Sequence, residues 1–277
     1  MGDVITFLFL LLIILFLIAA CLFVILTTPN RFRFFEMPAL YCHRGLHDET
    51  VPENSLPAFQ KAAEAGYGVE LDVRMTKDGK VVVFHDKNLL RMCGVDKDLA
   101  DLTFEELSEL RLAGSEEKIP LFSDVLNVLG SVPLSCEIKE DGPGTAVNEE
   151  FLRKIFEHLK DYPGDYNVIS FHPFVLKWFR EQHPEVIRGI LALDGSKKTG
   201  NMGKALSFAL SNLLFNIVAK PDFISYHYGD KTLGWHFCRY YGTRLCCWTI
   251  HSMNEVEKAA YDGYSTFVCE GFDVSEV

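Results

Sequence analysis

The chain has 277 residues, nearly half of them apolar, with Phe abundant, and a formal net charge of −11. That charge argues against nucleic acid as the main partner. It also means that an anionic substrate would need a local cation to supply a positive field.

Val4 to Leu26 is apolar except for Thr6 and carries no charge, which is long enough to cross a bilayer. The run is too long and too uniform for a typical signal-peptide core, and only Asp3 and the terminal amine precede it; Ala19-Ala20-Cys21 keeps cleavage open as an alternative. Arg31 and Arg33 follow the run, so the positive-inside rule puts the C-terminal side in the cytoplasm. The expected organisation is a single transmembrane helix over residues 4–26, a linker over 27–38 and one domain over 39–277. The eight cysteines form no C-x-x-C pair, and several sit in apolar, strand-like runs. They read as reduced thiols of a cytosolic domain; a disulfide set outside the cell is the alternative.

Beyond Pro38, strands and helices alternate. Ala39–Cys42 reads as a strand ending at His43-Arg44-Gly45. Asn54 or Ser55 caps a helix in which Leu56, Phe59, Ala62 and Ala63 recur at helical spacing up to Gly66. A strand through Glu70 and Asp72 follows, then a tight turn at Lys77-Asp78-Gly79 and a return arm, Val81–Phe84, ending in His85-Asp86. Residues 87–118 read as a charged loop with one helix signal, the capping box at Thr103-Phe-Glu-Glu. Further strands are predicted at 133–138, 167–171, 186–193, 223–226, 244–250 and 266–269. Helices are predicted at 123–129, 147–159, 174–183, 204–219, 233–241 and 254–261. Asp141–Gly144 reads as a loop and Gly195–Gly200 as a basic loop. The apolar 204–219 helix is either an outer helix packed on its strand or a segment lying against the membrane. Leaving out the hairpin's return arm, eight strands separated by helices predict a (β/α)8 TIM barrel of the α/β class behind an N-terminal membrane helix.

In such a barrel the C-terminal strand ends share one face, where catalysis occurs. Glu70 and Asp72 are two apart on a strand, so both carboxylates point the same way. Each polar residue has a structural explanation of its own, as a solvated strand face, a satisfied core histidine or a salt-bridged acid. Yet His43, Arg44, Glu70, Asp72, His85, Glu137, Lys139, Trp248 and His251 all fall at strand ends. Three carboxylates suit a hard cation such as Mg²⁺ or Ca²⁺. Arg44 offers a planar fork to a phosphate and Lys139 a point charge, while two histidines supply a base and an acid. The chemistry suggested is phosphoryl-ester cleavage.

The ordered set His43-Arg44-Gly45, Pro52-Glu53-Asn54-Ser55, Glu70-Leu-Asp72-Val-Arg, Thr76-Lys-Asp-Gly79, His85-Asp86, Glu137-Ile-Lys139 and Trp248-Thr249 resembles the glycerophosphodiester phosphodiesterase family. The resemblance implies a barrel fold and divalent-metal-dependent hydrolysis of a glycerophosphodiester to glycerol 3-phosphate and an alcohol. By family analogy Glu70, Asp72 and Glu137 hold the metal, and His43 and His85 act as acid and base. Arg44 and Lys139 would contact phosphate, and Trp248 packs against the glycerol or leaving group or is a core tryptophan. The chain departs from the family pattern at His251, where Asn is frequent, and at Cys269-Glu270-Gly271, where an acid or amide followed by Pro is frequent. Both changes fall on the pocket rim. A membrane-tethered site could also meet lysophospholipids, so lysophospholipase D activity is the close alternative; a non-catalytic tethered binding module is the third reading.

Overall fold

A computed structural model describes residues 2–30, 33, 35–140, 144–195, 203–275 and 277. Arg31, most of the predicted loop at 141–144 and all but Gly195 of the basic loop at 195–200 lie outside the described residues. Helix α1 spans Gly2–Thr27, and its Val4–Val24 portion is long and apolar enough to cross a membrane or to act as a signal sequence. The large apolar side chains from Val4 to Phe23 are exposed.

Eight parallel strands form the barrel: β1 (Leu40–His43), β2 (Gly68–Met75), β4 (Leu134–Ile138), β5 (Tyr166–Ser170), β6 (Ile187–Ala192), β7 (Phe223–His227), β8 (Leu245–Ile250) and β9 (Thr266–Cys269). The ninth strand, β3 (Val81–Val83), pairs antiparallel with β2 outside the ring. β1 pairs with both β2 and β9, which closes the sheet and abolishes its edges. The TIM-barrel expectation therefore holds. The predicted turn is also present: Gly79 takes φ 75 and donates its N–H to Thr76 O at 2.9 Å, which returns the chain along β2.

The strand period sorts side chains into two layers. Val69, Leu71 and Val73 of β2, with Leu134, Cys136 and Ile138 of β4, point outward into the core shared with the helices. Helix α6 (Glu149–Leu159), capped by the Asn148 side chain, covers this surface with Phe151, Leu152, Ile155 and Leu159. Full burial of each such side chain contributes about 1.5–3 kcal/mol. The alternate residues point into the barrel, where Tyr41, Ile169, Leu191, Phe223, Cys246 and Val268 fill the interior.

Two regions differ from the sequence expectation. Residues 87–118 are not simply loop: besides helix α4 (Phe104–Ser108) behind the predicted capping box, they hold helix α3 (Leu90–Cys93) and a 3-10 turn (Leu99–Asp101). Leu89, Met92, Leu99, Leu102, Leu107 and Leu112 gather against Val82 and Phe84 in a core of their own. These apolar positions follow no single period, which hides the core behind the intervening charges. The predicted 204–219 helix is broken into α8 (Lys204–Ser211) and α9 (Asn216–Ala219), with Leu213 at φ 60 in the break. Helix α10 (Leu233–Tyr240) packs there so closely that a Cβ on Gly234 would lie 2.3 Å from Asn212 O.

Candidate active site

Register assembles the mouth. Across the parallel pairs, His43 lies opposite Glu70, and Asp72 lies opposite Glu137. All four belong to the inward-pointing set at the C-terminal ends of β1, β2 and β4. One ligand atom from each of Glu70, Asp72 and Glu137 lies within 4.8 Å of the others, and all three residues are buried. Just past β4, Lys139 Nζ bridges two of them, at 3.0 Å from Asp72 Oδ1 and 2.5 Å from Glu137 Oε1. Arg44 Nε stands 3.5 Å from Asp72 Oδ2, while its Nη1 donates to Glu53 Oε1 at 2.7 Å. Asn54 Nδ2 donates to Asp72 Oδ2 at 2.9 Å.

The backbone at this corner is shaped for these contacts. Arg44 (φ 58) and Asn54 (φ 55) both occupy the left-handed region. Asn tolerates it, but for Arg it costs about 1–2 kcal/mol, an expense that collects at functional sites. Gly45 follows at φ 84, where a Cβ would come within 2.9 Å of Ala58 in helix α2 (Leu56–Glu64). The His-Arg-Gly sequence thus turns the chain tightly while aiming an imidazole and a guanidinium into the mouth.

Electrostatics separate the three acids. Burial raises the pKa of Glu70 well above the usual carboxylate range, and the charges of Asp72 and Glu137 push the same way. Burial likewise lifts Glu137 to about 7, although Lys139 opposes the rise. Asp72 stays below the usual range, because Lys139, His85, Arg44 and the Asn54 hydrogen bond together outweigh burial. Glu70 Oε2 is buried with no hydrogen-bond partner among the described residues. An orphaned carboxylate oxygen beside two more carboxylates is the donor set of a hard divalent cation, so the residues present fit one.

Both imidazoles are oriented by acids. His43 Nδ1 is hydrogen-bonded to Glu270 Oε2, and its Nε2 lies 3.9 Å from Glu70 Oε2. His85 Nδ1 is held by Asp86 Oδ1 at 2.6 Å, and its backbone carbonyl accepts from Arg74 Nε at 2.9 Å, tying the hairpin arm to β2. A carboxylate on Nδ1 fixes the tautomer and leaves Nε2 for proton transfer. Burial lowers the His85 pKa despite the nearby Asp72 charge. A cavity of about 320 Å³ opens beside this group, lined by His85, Glu137, Lys139, Ser170, Phe171 and His172 among others.

The sequence profile of the Glycerophosphoryl diester phosphodiesterase family matches residues 43–263. The chain belongs to this family. It is therefore a phosphoric diester hydrolase. It is 30% identical, over 81% of its own length and 91% of the relative's, to a glycerophosphodiester phosphodiesterase of Caldanaerobacter subterraneus subsp. tengcongensis. It is 33% identical to the Homo sapiens protein named Lysophospholipase D GDPD1, across 43% of this chain and 40% of that one. Among solved structures, an Oleispira antarctica phosphodiesterase in complex with the product sn-glycerol-3-phosphate superposes with a TM-score of 0.69. The likeness spans 85% of this chain and 94% of the other at 23% identity, and shows the shared fold.

Within the family frame, the structure brings His43, Arg44, Glu70, Asp72, His85, Glu137 and Lys139 to one mouth. Trp248 sits half-buried at the rim, its Nε1 donating to Ser225 O at 3.0 Å and its ring meeting Phe171 edge-on at 5.6 Å. His251 is exposed, and its backbone N–H is taken by Glu255 Oε2 at 2.7 Å in the first turn of α11 (Met253–Tyr261). Sequence reasoning missed Glu270, Glu53, Asn54 and Asp86 as working parts of the site. Glu270 was noted only as a departure from the family pattern, yet its carboxylate contacts His43 and stands 3.6 Å from His47 Nε2. The usable signal was its place at the end of β9, the strand next to β1 in a closed barrel.

Proposed function

We propose that the barrel mouth hydrolyses glycerophosphodiesters to sn-glycerol 3-phosphate and an alcohol. The observation that carries the reading is the buried carboxylate trio flanked by two acid-oriented imidazoles and two fixed cations. Glu70, Asp72 and Glu137 would hold a divalent cation, Mg²⁺ or Ca²⁺. When bound, such a cation supplies Lewis-acid polarisation of a phosphate oxygen. Arg44 and Lys139 bind the remaining phosphate charge, Arg44 through a guanidinium edge that Glu53 holds in place. His43, fixed at Nδ1 by Glu270, moves a proton through Nε2 at the attacking or leaving oxygen. His85, fixed by Asp86, performs the complementary transfer. The Phe171–Trp248 edge forms an apolar wall for the glycerol or the leaving group. α1 serves as a single membrane anchor (4–26), joined by the linker at 27–38 to a cytoplasmic barrel domain (39–277).

A second reading, lysophospholipase D cleavage of lysophospholipids, draws on the relative of that name and on the exposed Phe171 at the cavity wall. Turnover of glycerophosphocholine and lysophosphatidylcholine by the full chain, with Mg²⁺, Ca²⁺ or a chelator, tests both. Metal-dependent release of choline from the water-soluble diester is the expected result. A preference for the acylated substrate would favour the second reading. Absence of turnover on both, at any metal, would refute the catalytic assignment.

A further inference from the structure

A second cavity, about 700 Å³, lies at the opposite end of the barrel, where the strands begin and α1 ends. It is lined by Arg33, Arg180, Arg188 and Lys220, with Thr28 and Tyr241, and includes no carboxylate residue among its described walls. Four cations sharing one hollow are unexpected in a chain of net charge −11. They come from four separate places: Arg33 from the segment after α1, Arg180 from α7 (Pro173–Gln182), Arg188 from β6, and Lys220 from the end of α9.

Structural duties account for part of this charge. Arg33 Nη1 and Arg188 Nη1 donate to the same two carbonyls, Pro184 O and Val186 O. Arg180 Nη1 donates to Val218 O at 2.7 Å and its Nη2 stands 3.1 Å from Glu181, which also pairs with Lys177. A single carboxylate, Asp222, serves both Arg33 (3.5 Å) and Arg188 (3.3 Å). The four cations outnumber the two carboxylates these contacts involve, Asp222 and Glu181. Arg188 is almost wholly buried, and its Nε carries no hydrogen bond among the described residues. Burial lowers its pKa, and Arg33 and Arg180 push the same way against Asp222. Lys220 stands at φ 41, a left-handed position where glycine is preferred.

The position of the hollow selects its ligand. Thr28 continues directly from α1, and Asn30 N–H donates to Pro221 O at 2.8 Å, so the end of the apolar helix is tied to the cavity wall. Basic pockets beside a membrane helix recruit anionic headgroups. We propose that this pocket holds the phosphate-bearing headgroup of an anionic lipid in the leaflet where α1 ends. The proposal is independent of the diesterase chemistry, but it rests on α1 spanning a bilayer.

The test uses the full chain in nanodiscs of phosphatidylcholine, titrated with phosphatidylserine, with bound lipid read by native mass spectrometry. The variant Arg33→Gln/Arg180→Gln/Lys220→Gln spares the buried Arg188–Asp222 pair. It should weaken phosphatidylserine retention about 100-fold, since each cation near a membrane surface contributes roughly a fivefold factor. A charge-matched control, Lys97→Gln/Lys118→Gln/Arg153→Gln, should retain lipid like the wild type. Equal retention by wild type and pocket variant, or by the pocket variant and control, overturns the proposal. Displacement of phosphatidylserine by millimolar-range inorganic phosphate would reassign the pocket to a free anion. A wild-type chain that fails to enter nanodiscs overturns the membrane placement itself, whatever its diesterase activity.

Discussion

Replacing Glu70 by Gln should make the metal-free protein more stable while destroying its response to metal. In the folded chain Glu70 is buried beside Asp72 and Glu137, with ligand atoms no more than 4.8 Å apart. Two unit charges at that separation repel by about 3 kcal/mol at an effective dielectric constant of about 20. Lys139 and Arg44 offset part of this, and proton uptake by Glu70, whose pKa burial already raises, caps the rest. A net gain of about 1–2 kcal/mol is expected without metal, which is about 2–8 °C in Tm for a domain of this size. Calorimetry of wild type and Glu70→Gln in chelator, then with added Mg²⁺ or Ca²⁺, reads both effects. Wild type should gain Tm with metal through mass action, and the variant should gain little. A variant less stable than wild type in chelator, or one that gains as much as wild type from metal, refutes the reasoning.

Further outcomes follow from the same geometry. Glu137 has a folded pKa raised from 4.5 to about 7, so its contribution to stability is present below pH 4.5 and is lost as pH rises through 7. The stability advantage of Glu137→Gln over wild type, measured by denaturant unfolding in chelator, should therefore grow across that window by up to about 3 kcal/mol; a flat difference contradicts it. His43→Ala should lower kcat by about 10²–10⁴ with metal affinity retained, and a near-normal kcat removes His43 from proton transfer. Glu270→Gln should lower kcat by about tenfold or more while KM and metal affinity stay near wild type, because it loosens His43 without touching the carboxylate trio. Since the His43 hydrogen bond and the nearby Arg44 charge hold the Glu270 carboxyl down to about 2 against its usual 4.5, wild type should lose stability relative to this variant as pH falls through that range. Unchanged kcat in Glu270→Gln would reduce Glu270 to a surface partner.

The clustering of the three carboxylates was legible because it depends on strand parity and little else. Glu70 and Asp72 share a face by period two, and Asp72 falls opposite Glu137 once two strands pair in parallel. Glu270 was harder to see because its role needs closure: β9 sits beside β1 only when the sheet becomes a ring, and the two residues are 227 apart in sequence. Asn54 and Glu53 lie in a loop whose aim is set by the left-handed turn at Arg44, which no periodicity reports. The core within 87–118 and the break at Leu213 escaped for a related reason. Both depend on tertiary packing, of Met92 and Leu99 under the hairpin and of Gly234 against Asn212, and override the local pattern.

The two ends of the barrel divide the labour of this chain. α1 is joined at the N-terminal end, through Asn30 to Pro221 and Asp222, just before β7 begins. The carboxylate trio stands at the C-terminal ends of β2 and β4, a rise of about 10 Å along β4 from Leu134 to Glu137. With α1 as a span, the reacting centre stands on the side of the barrel away from the point of tethering. A diester dissolved in water reaches such a mouth without leaving a bilayer, whereas an acyl lipid would have to be drawn out of its leaflet. Extraction exposes the acyl chain at about 0.8 kcal/mol per methylene, unless the Phe171–Trp248 wall covers it. Phe171→Ser should lower turnover of lysophosphatidylcholine far more than turnover of glycerophosphocholine; an equal loss on both would show that the aromatic edge serves the glycerophosphate core, with no acyl chain engaged.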